Sequence, residues 1–375
     1  MEKMQLQLPM SQENAVGLLG NVKTPLLKWY DEYARVLPWR SNPTPYWVWL
    51  SEIMLQQTRV EAVLPYFKRF IEALPDIPSL AHASEEQLHK LWEGLGYYSR
   101  VRNLHKAALQ VMERYDGKLP PSYELLLDLC GIGEYTAGAI ASIAFGEPVP
   151  AVDGNVLRVF SRVLGCESDI ASLQVKKAYR ELLLAAMPQD RPGDFNQAVM
   201  DLGAGICLPN GVPLCSSCPL AHLCTAFREG TQMVLPVKSA KKARRVEEKT
   251  VFLICSPEGV LLHKRPEEGL LAGLWEFPNI PPRLTREQAE ELLREQGNGL
   301  LKLYTLKEAK HIFTHIEWKM TGYLAVCQKA HWDGAVPATL RELETVYAVP
   351  GAFAPFKKQL LEYAEKGMIW DDRTN

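Results

Sequence analysis

The chain lacks any apolar run near the ~20 residues that a bilayer-crossing helix needs, so no membrane span is expected. It also lacks a dominant charge: 42 Lys+Arg stand against 44 Asp+Glu, for a net charge of −2. Residues 1–237 carry 21 Lys+Arg against 25 Asp+Glu, and the remainder 21 against 19, so neither half is strongly basic. The first 20 residues have no positively charged start leading into an apolar core, so a secretory signal is not expected. Nor do the cysteines suggest a secreted disulfide scaffold. Of eight, Cys130, Cys166, Cys255 and Cys327 are scattered among apolar neighbours and read as small buried side chains in a reducing compartment. A monomer in the cytoplasm is the expectation.

With 375 residues, 47% hydrophobic and 23% charged, the chain exceeds one ordinary core and implies two domains. Residues 22–235 read almost wholly as helix. Asn42-Pro43-Thr44-Pro45 starts a helix expected over 46–60, which would place Glu52 on one face with Val48, Leu55, Gln56 and Arg59. A carboxylate there lies among apolar and amide neighbours. Further helices are expected over 66–73 and 88–95, followed by the turn Gly94-Leu95-Gly96-Tyr97-Tyr98. A basic helix over 100–111 carries Arg100, Arg102, His105 and Lys106. Such charges are most often a solvated face, with a local patch for a polyanion as the alternative.

The central stretch is 125–159. A short apolar helix ends at Leu129-Cys130-Gly131-Ile132-Gly133, and Glu134-Tyr135-Thr136-Ala137 opens a helix of small residues. Glycines at such a turn allow close approach to a ligand, while the next helix's first amides lack intrahelical acceptors. That arrangement can hold a phosphate without a basic side chain, although the turn taken alone favours an ordinary glycine-capped helical hairpin. Downstream, Asp153 interrupts the apolar runs 149–152 and 156–159, where it could also cap the helix beginning near Asn155. If DNA is the partner, binding should be modest and salt-sensitive.

Helices over 174–186 and 195–202 complete an all-α block. Then Cys207, Cys215, Cys218 and Cys224 fall within eighteen residues, with seven, two and five residues between successive members. Four thiolates so spaced form a metal cage, and spacing alone does not choose zinc over an iron–sulfur cluster. Lys238 to Lys249 is poor in apolar residues and reads as an exposed linker. Beyond it a hairpin over 250–264, further strands over 311–320 and 323–327, and an amphipathic helix over 286–295 describe an α+β domain. The expected boundaries are 1–237, 238–249 and 250–375.

Together these motifs resemble the helix-hairpin-helix DNA glycosylases, specifically the MutY-type adenine DNA glycosylases. The resemblance rests on Leu37-Pro38-Trp39-Arg40, on Trp49-Leu50-Ser51-Glu52-Ile53-Met54-Leu55-Gln56-Gln57-Thr58, and on Gly94 to Tyr98. It also rests on the hairpin, Val152-Asp153-Gly154-Asn155-Val156, Phe195-Asn196-Gln197, the cysteine cage and Phe313-Thr314-His315. Three positions depart from the usual pattern. The first cage loop is one residue longer, Cys130 replaces a proline, and Thr314 replaces a serine while keeping the hydroxyl.

The resemblance implies a multidomain chain: an all-α helix-hairpin-helix glycosylase core with a [4Fe–4S] loop, and an α+β Nudix-like C-terminal domain for lesion recognition. Its substrate would be double-stranded DNA carrying A:8-oxoG or A:G mispairs, making it nucleoid-associated. Glu52 would be the general acid toward adenine N7, and Asp153 would stabilise the sugar cation, with Tyr135 and Asn155 hydrogen-bonding near Asp153. A desolvated Glu52 would hold its proton near neutral pH. Gly131 and Gly133 would grip phosphate, Gln57 and Tyr97 would fill or wedge the base stack, and Trp39 and Arg40 would line the adenine pocket. Phe313, Thr314 and His315 would inspect the opposite base, and Cys207, Cys215, Cys218 and Cys224 would hold the cluster. Strand-cleaving relatives carry a Schiff-base lysine where this chain has Tyr135, so a monofunctional enzyme is expected. The alternative is an endonuclease III-like glycosylase/lyase acting on oxidised pyrimidines. A Nudix hydrolase is not expected, because Gln288, Leu293, Ala272 and Pro278 interrupt the required pattern.

Overall fold

A computed structural model describes residues 6–240 and 243–370. Lys241 and Lys242, in the expected linker, lie outside the described residues. The chain divides into two compact units: residues 1–82 with 103–241, and residues 83–102 with 242–375. No described helix is long and apolar enough to cross a membrane.

The first unit is helical. Side-chain caps mark several starts: Ser11, Thr44, Ser122 and Asp153 accept from backbone amides three residues on. Helices Gln12–Tyr33, Gly154–Leu164, Leu173–Ala186 and Pro192–Gly205 enclose a core that includes Leu19, Leu26, Phe160, Tyr179 and Phe195. The small-residue helix Glu134–Phe145 packs against Pro45–Leu55 and Pro192–Gly205. Gly138 is what lets the backbone cross it closely, since a Cβ there would lie 2.7 Å from the Pro150 carbonyl oxygen. Asn196 then ties the crossing strand down, accepting from Ala151 N at 3.1 Å and donating to Val149 O at 2.9 Å. Asp153 emerges just beyond.

The helix expected over 46–60 is shorter. Pro45–Leu55 stops because Gln57 takes a left-handed backbone, with φ 58°, and Val60–Ala73 begins a new helix. Arg59 is the residue before that second helix, so it does not share a helical face with Glu52.

Among the described residues of the second unit, eight strands form a mixed sheet: β1 Arg245–Ser256, β2 Gly259–Lys264, β3 Trp275–Glu276, β4 Asn279–Ile280, β5 Leu300–Thr305, β6 Ala309–Ile312, β7 Ile316–Cys327 and β8 Ala335–Ala338. The main order is β3-β2-β1-β7-β5, with β1 and β7 parallel and paired from Arg245↔Ile316 to Cys255↔Val326. Odd residues Val251, Leu253 and Cys255 join a core with Phe353, Phe356 and Leu360, whereas Phe252 and Ile254 join Ala289 and Leu293. Both faces of β1 are thus covered, which is why its sequence runs apolar without alternation. β1 also takes in Arg245 to Lys249, residues that composition alone assigned to the linker. The expected strand over 311–320 is two strands, β6 and β7, with Phe313 to His315 between them.

Candidate active site

Glu52 sits in the last turns of Pro45–Leu55, among Val48, Trp49, Ile53 and Met54, and is 5% exposed. Tyr135 lies in the first turn of Glu134–Phe145 and donates its phenolic hydrogen to Glu52 Oε2 at 2.7 Å. Desolvation raises the Glu52 carboxyl to about 7; the Tyr135 hydrogen bond opposes the rise, the Asp153 charge adds to it, and Arg40 opposes it. Tyr135 itself is pushed far upward, chiefly by burial and then by Glu52, so it remains a phenol.

Asp153 caps Gly154–Leu164. Its Oδ1 accepts from Val156 N at 2.8 Å and its Oδ2 from Asn155 Nδ2 at 2.7 Å. Burial raises this carboxyl, but the two donors and the more distant Arg158 pull back toward the ionised form. Cap and candidate catalyst are therefore the same side chain. The expected pairing of Tyr135 with Asp153 is corrected: the phenol bonds Glu52, because the Glu134–Phe145 helix packs directly on Pro45–Leu55, and Asn155 alone of the two holds Asp153.

Glu52, Tyr135, Asp153, Asn155, Trp39 and Arg40 line one cavity of about 730 Å³. Trp39 is buried with its ring edge-on to Phe67. Arg40 does not offer a free cation there. Its guanidinium donates to Asp201 at 2.7 and 2.9 Å, and Arg35 donates to the same carboxylate. Sequence reasoning missed Asp201, although a lone carboxylate within Ala198-Val199-Met200-Asp201-Leu202 was an available signal. It also missed Arg158, which donates to Asn155 Oδ1 at 2.8 Å and to the Gly203 and Cys207 carbonyls, and so fixes the amide that holds Asp153.

Other expected residues are not among those lining this cavity. Gly131 has φ 74°, and a Cβ on it would meet Asn103 Cβ at 2.6 Å. Gly133 is exposed, with open space where a side chain would be, and gives the next helix no side-chain cap. The backbone of this turn is thus bare enough to meet an anion. Gln57 and Tyr97 share an uncommon trait: both are exposed, non-glycine residues with left-handed backbones, at φ 58° and 51°. Such conformations are retained where the surrounding structure enforces them. Phe313 closes the β6–β7 turn through its N–H to Ile316 O and packs on Trp318 at 4.8 Å between ring centres, while Thr314 and His315 stand exposed.

The solvated-face reading of 100–106, and the patch offered as its alternative, are corrected for Arg100, Arg102 and His105. Arg100 is buried and donates to the Leu95 and Gly96 carbonyls, Arg102 donates to the Ala272 carbonyl, and the His105 ring contacts the Ala81 carbonyl at 3.1 Å. These side chains brace loops.

Cys207, Cys215, Cys218 and Cys224 line a second cavity with Val159, Arg162 and Leu220, delivered by the short turns Cys215–Ser217 and Ala221–Leu223. Burial raises the Cys218 thiol to about 12, with the Leu220 backbone hydrogen bond opposing the rise and the neighbouring thiols adding to it. Four thiolates would coexist here only around a positive core. Arg162 supplies part of that charge, donating to Cys207 Sγ at 3.2 Å. Among the described residues no three His, Cys, Asp or Glu side chains converge on the position of a single ion.

Residues 50–184 match the HhH-GPD superfamily of base excision DNA repair proteins, and residues 250–359 match a NUDIX domain. The adenine DNA glycosylase of Mus musculus is 37% identical over 370 residues, covering 83% of this chain and 72% of that protein. That of Buchnera aphidicola subsp. Schizaphis graminum is 35% identical over 292 residues, covering 77% and 83%. A thermostable thymine-DNA glycosylase of known structure superposes with a TM-score of 0.51 at 27% identity, covering 57% of this chain and 99% of that one. With relatives of this kind matched across most of both units, the chain belongs to the adenine DNA glycosylase family.

Proposed function

We propose that this protein removes adenine mispaired with 8-oxoguanine or guanine from duplex DNA by hydrolysing the N-glycosidic bond, and that it stops at the abasic site. The observation that carries the reading is the pair of unlike carboxyls on one cavity, with Glu52 raised to about 7 and Asp153 held by two donors. Groups whose environments separate their proton affinities divide into acid and base roles.

The adenine leaves the duplex and enters the cavity, at an unstacking cost of about a few kcal/mol. Protonated Glu52 gives its proton to N7, the C1′–N9 electron pair departs with the base, and the sugar is left as an oxocarbenium ion. Asp153 stabilises that cation until water adds at C1′ and its proton passes to solvent. Arg158 and Asn155 keep the Asp153 carboxylate aimed. Trp39 closes an apolar wall, and Arg40, neutralised by Asp201, adds hydrogen bonding without strongly lowering Glu52. No amine is available in Glu134-Tyr135-Thr136 for attack on C1′, which disfavours the lyase alternative.

The turn Gly131 to Gly133 would hold a phosphate through backbone amides. Gln57 and Tyr97 would fill the space the base vacates, and Phe313, Thr314 and His315 would read the opposite base. Cys207, Cys215, Cys218 and Cys224 fit a [4Fe–4S] cluster, because all four line one shared cavity and supply the four thiolates it takes. A bound cluster would cross-link the 207–224 loop, and Arg162 ties that loop to Gly154–Leu164 by donating to Cys207 Sγ and the Leu208 carbonyl. The Arg286–Glu295 helix carries a reciprocal cap between Thr285 and Gln288 and exposed glutamates, the properties of an ordinary surface helix.

Adenine release from an A:8-oxoG duplex, followed by alkali to reveal abasic sites, tests the activity. The proposal requires strand breaks only after alkali. Absence of free adenine, or efficient borohydride trapping of an imine, would refute it. Paired assays on A:8-oxoG and A:G with Phe313→Ala and His315→Ala test the reading turn, and unchanged discrimination would remove that assignment.

A further inference from the structure

Residues 83–102 lie between helices of the first unit in sequence but belong to one compact unit with the C-terminal sheet domain. The attachment centres on Glu93. Its carboxylate accepts from Lys90 Nζ at 2.6 Å, Val349 N at 3.2 Å and Lys357 Nζ at 3.3 Å. Lys90 also donates to the Leu343 and Tyr347 carbonyls, and Lys357 donates to the Leu343 carbonyl at 3.1 Å. All three charged side chains are about 20% exposed, so this is a half-sheltered network rather than a solvated pair. Isolated surface ion pairs rarely hold anything, whereas a carboxylate shared by two ammonium groups and an amide does.

Four residues after Glu93 comes Tyr97, exposed and left-handed. The intervening loop is braced internally, because Arg100 donates to the carbonyls of Leu95, Gly96 and Tyr97. On the other side, Lys357 belongs to the Ala354–Glu365 helix, whose N-cap Phe353 packs on Trp318 at 6.0 Å between ring centres. Trp318 packs on Phe313 at 4.8 Å. Packed rings, one helix turn, an ionic contact and a short loop therefore connect the β6–β7 turn with Tyr97, a route along which two places can be coupled.

Resting on the function proposed above, we propose that Glu93 is a positioning residue that couples the Phe313-Thr314-His315 turn to Tyr97, so that engagement of the base opposite the target sets how the wedge enters the stack. Neither catalytic carboxyl is involved. Loss of Glu93 should therefore weaken discrimination without abolishing excision.

The test uses the full chain with Glu93→Gln, Lys357→Met, Tyr97→Ala and Phe313→Ala, on A:8-oxoG and A:G duplexes carrying 2-aminopurine beside the target. Glu93→Gln should lower the ratio of kcat/KM for A:8-oxoG over A:G by about tenfold, mainly through KM, and should blunt the 2-aminopurine rise that reports stack opening. Lys357→Met should do the same, and Glu93→Asp should restore most of both. Combined with Tyr97→Ala, Glu93→Gln should add less than twofold, because both act on one step. Effects that multiply, or a discrimination ratio unchanged by Glu93→Gln when Tyr97→Ala and Phe313→Ala each lower it, would overturn the coupling alone. A ratio unchanged in all four variants would overturn the underlying reading of Tyr97 and Phe313 with it.

Discussion

The phenol of Tyr135 donates to Glu52 Oε2 at 2.7 Å, and this bond works against burial in setting the proton affinity of the Glu52 carboxyl. A hydrogen bond to the charged form stabilises it, so removing the donor leaves desolvation less opposed. Tyr135→Phe should therefore move the basic limb of the single-turnover rate upward by about one pH unit, since a charge-assisted bond carries roughly that much free energy. The check is a pH profile of adenine release under enzyme excess. A limb that stays in place, or moves down, would show that Tyr135 does not tune Glu52.

Substituting the carboxyl itself separates chemistry from binding. Glu52→Gln keeps the shape and removes the transferable proton, so adenine release should fall on the order of 10²–10⁴-fold. Mismatch affinity by fluorescence anisotropy should stay within about threefold. Near-normal turnover by this variant would sink the assignment of Glu52 as the acid.

The same residue ties stability to pH. Its folded-state value of about 7 lies above the ordinary 4.5, so the folded protein binds a proton more tightly than the unfolded chain. The associated stability is fully present below about pH 4.5 and is lost as pH rises through about 7, a change on the order of 3 kcal/mol. Denaturant melts of the wild type and Glu52→Gln at pH 5 and pH 8 should converge at the lower value. At the higher one the variant should be the more stable. Parallel curves across that window would contradict a buried, proton-holding Glu52.

Asp153 depends on Asn155, and Asn155 depends on Arg158. Asn155→Ala should slow excision roughly tenfold to a hundredfold with little change in DNA affinity, because one of the two donors that favour the ionised form of Asp153 against its burial is lost. Arg158→Met should cost folding stability as well, about 3 kcal/mol, by leaving the Gly203 and Cys207 carbonyls and the Asn155 amide oxygen unpaired. Thermal melts beside rate measurements distinguish the two. Equal stability losses in both variants would argue against this division.

For the cysteine cage, anaerobically purified protein should contain about four irons and four inorganic sulfides per chain, with broad visible absorption. Cys218→Ser should bleach that absorption. One zinc per chain and a colourless protein would replace the cluster with a mononuclear site.

Much of this site was legible in the order of residues. Asp153 with Gly154 read as a cap because capping reaches only three residues along the chain, and the structure confirms that bond. The cysteine spacing likewise carries its own geometry, as do the Arg286–Glu295 helix and the apolar length of β1. The extent of the Pro45–Leu55 helix was not legible. Propensity favoured continuing through Gln56 to Val60, but the chain turns at Gln57, which adopts a backbone that local preference disfavours. The helix expected over 100–111 is present, but the setting of its charges was not legible: Arg100 and Arg102 look alike in sequence whether they face solvent or, as here, carbonyl oxygens.

By itself the sequence determined which chemical groups are present, where helices are capped, and that no amine stands at position 135. Tertiary structure alone decided that Tyr135 pairs with Glu52 across 83 positions, that Asp201 neutralises Arg40, and that residues 83–102 join the sheet domain. The physical reason is range. Caps, turns and ligand spacings are settled within a few residues, whereas desolvation and charge pairing sum over whatever the fold brings near, so a proton affinity such as that of Glu52 exists only once the cavity around it has formed.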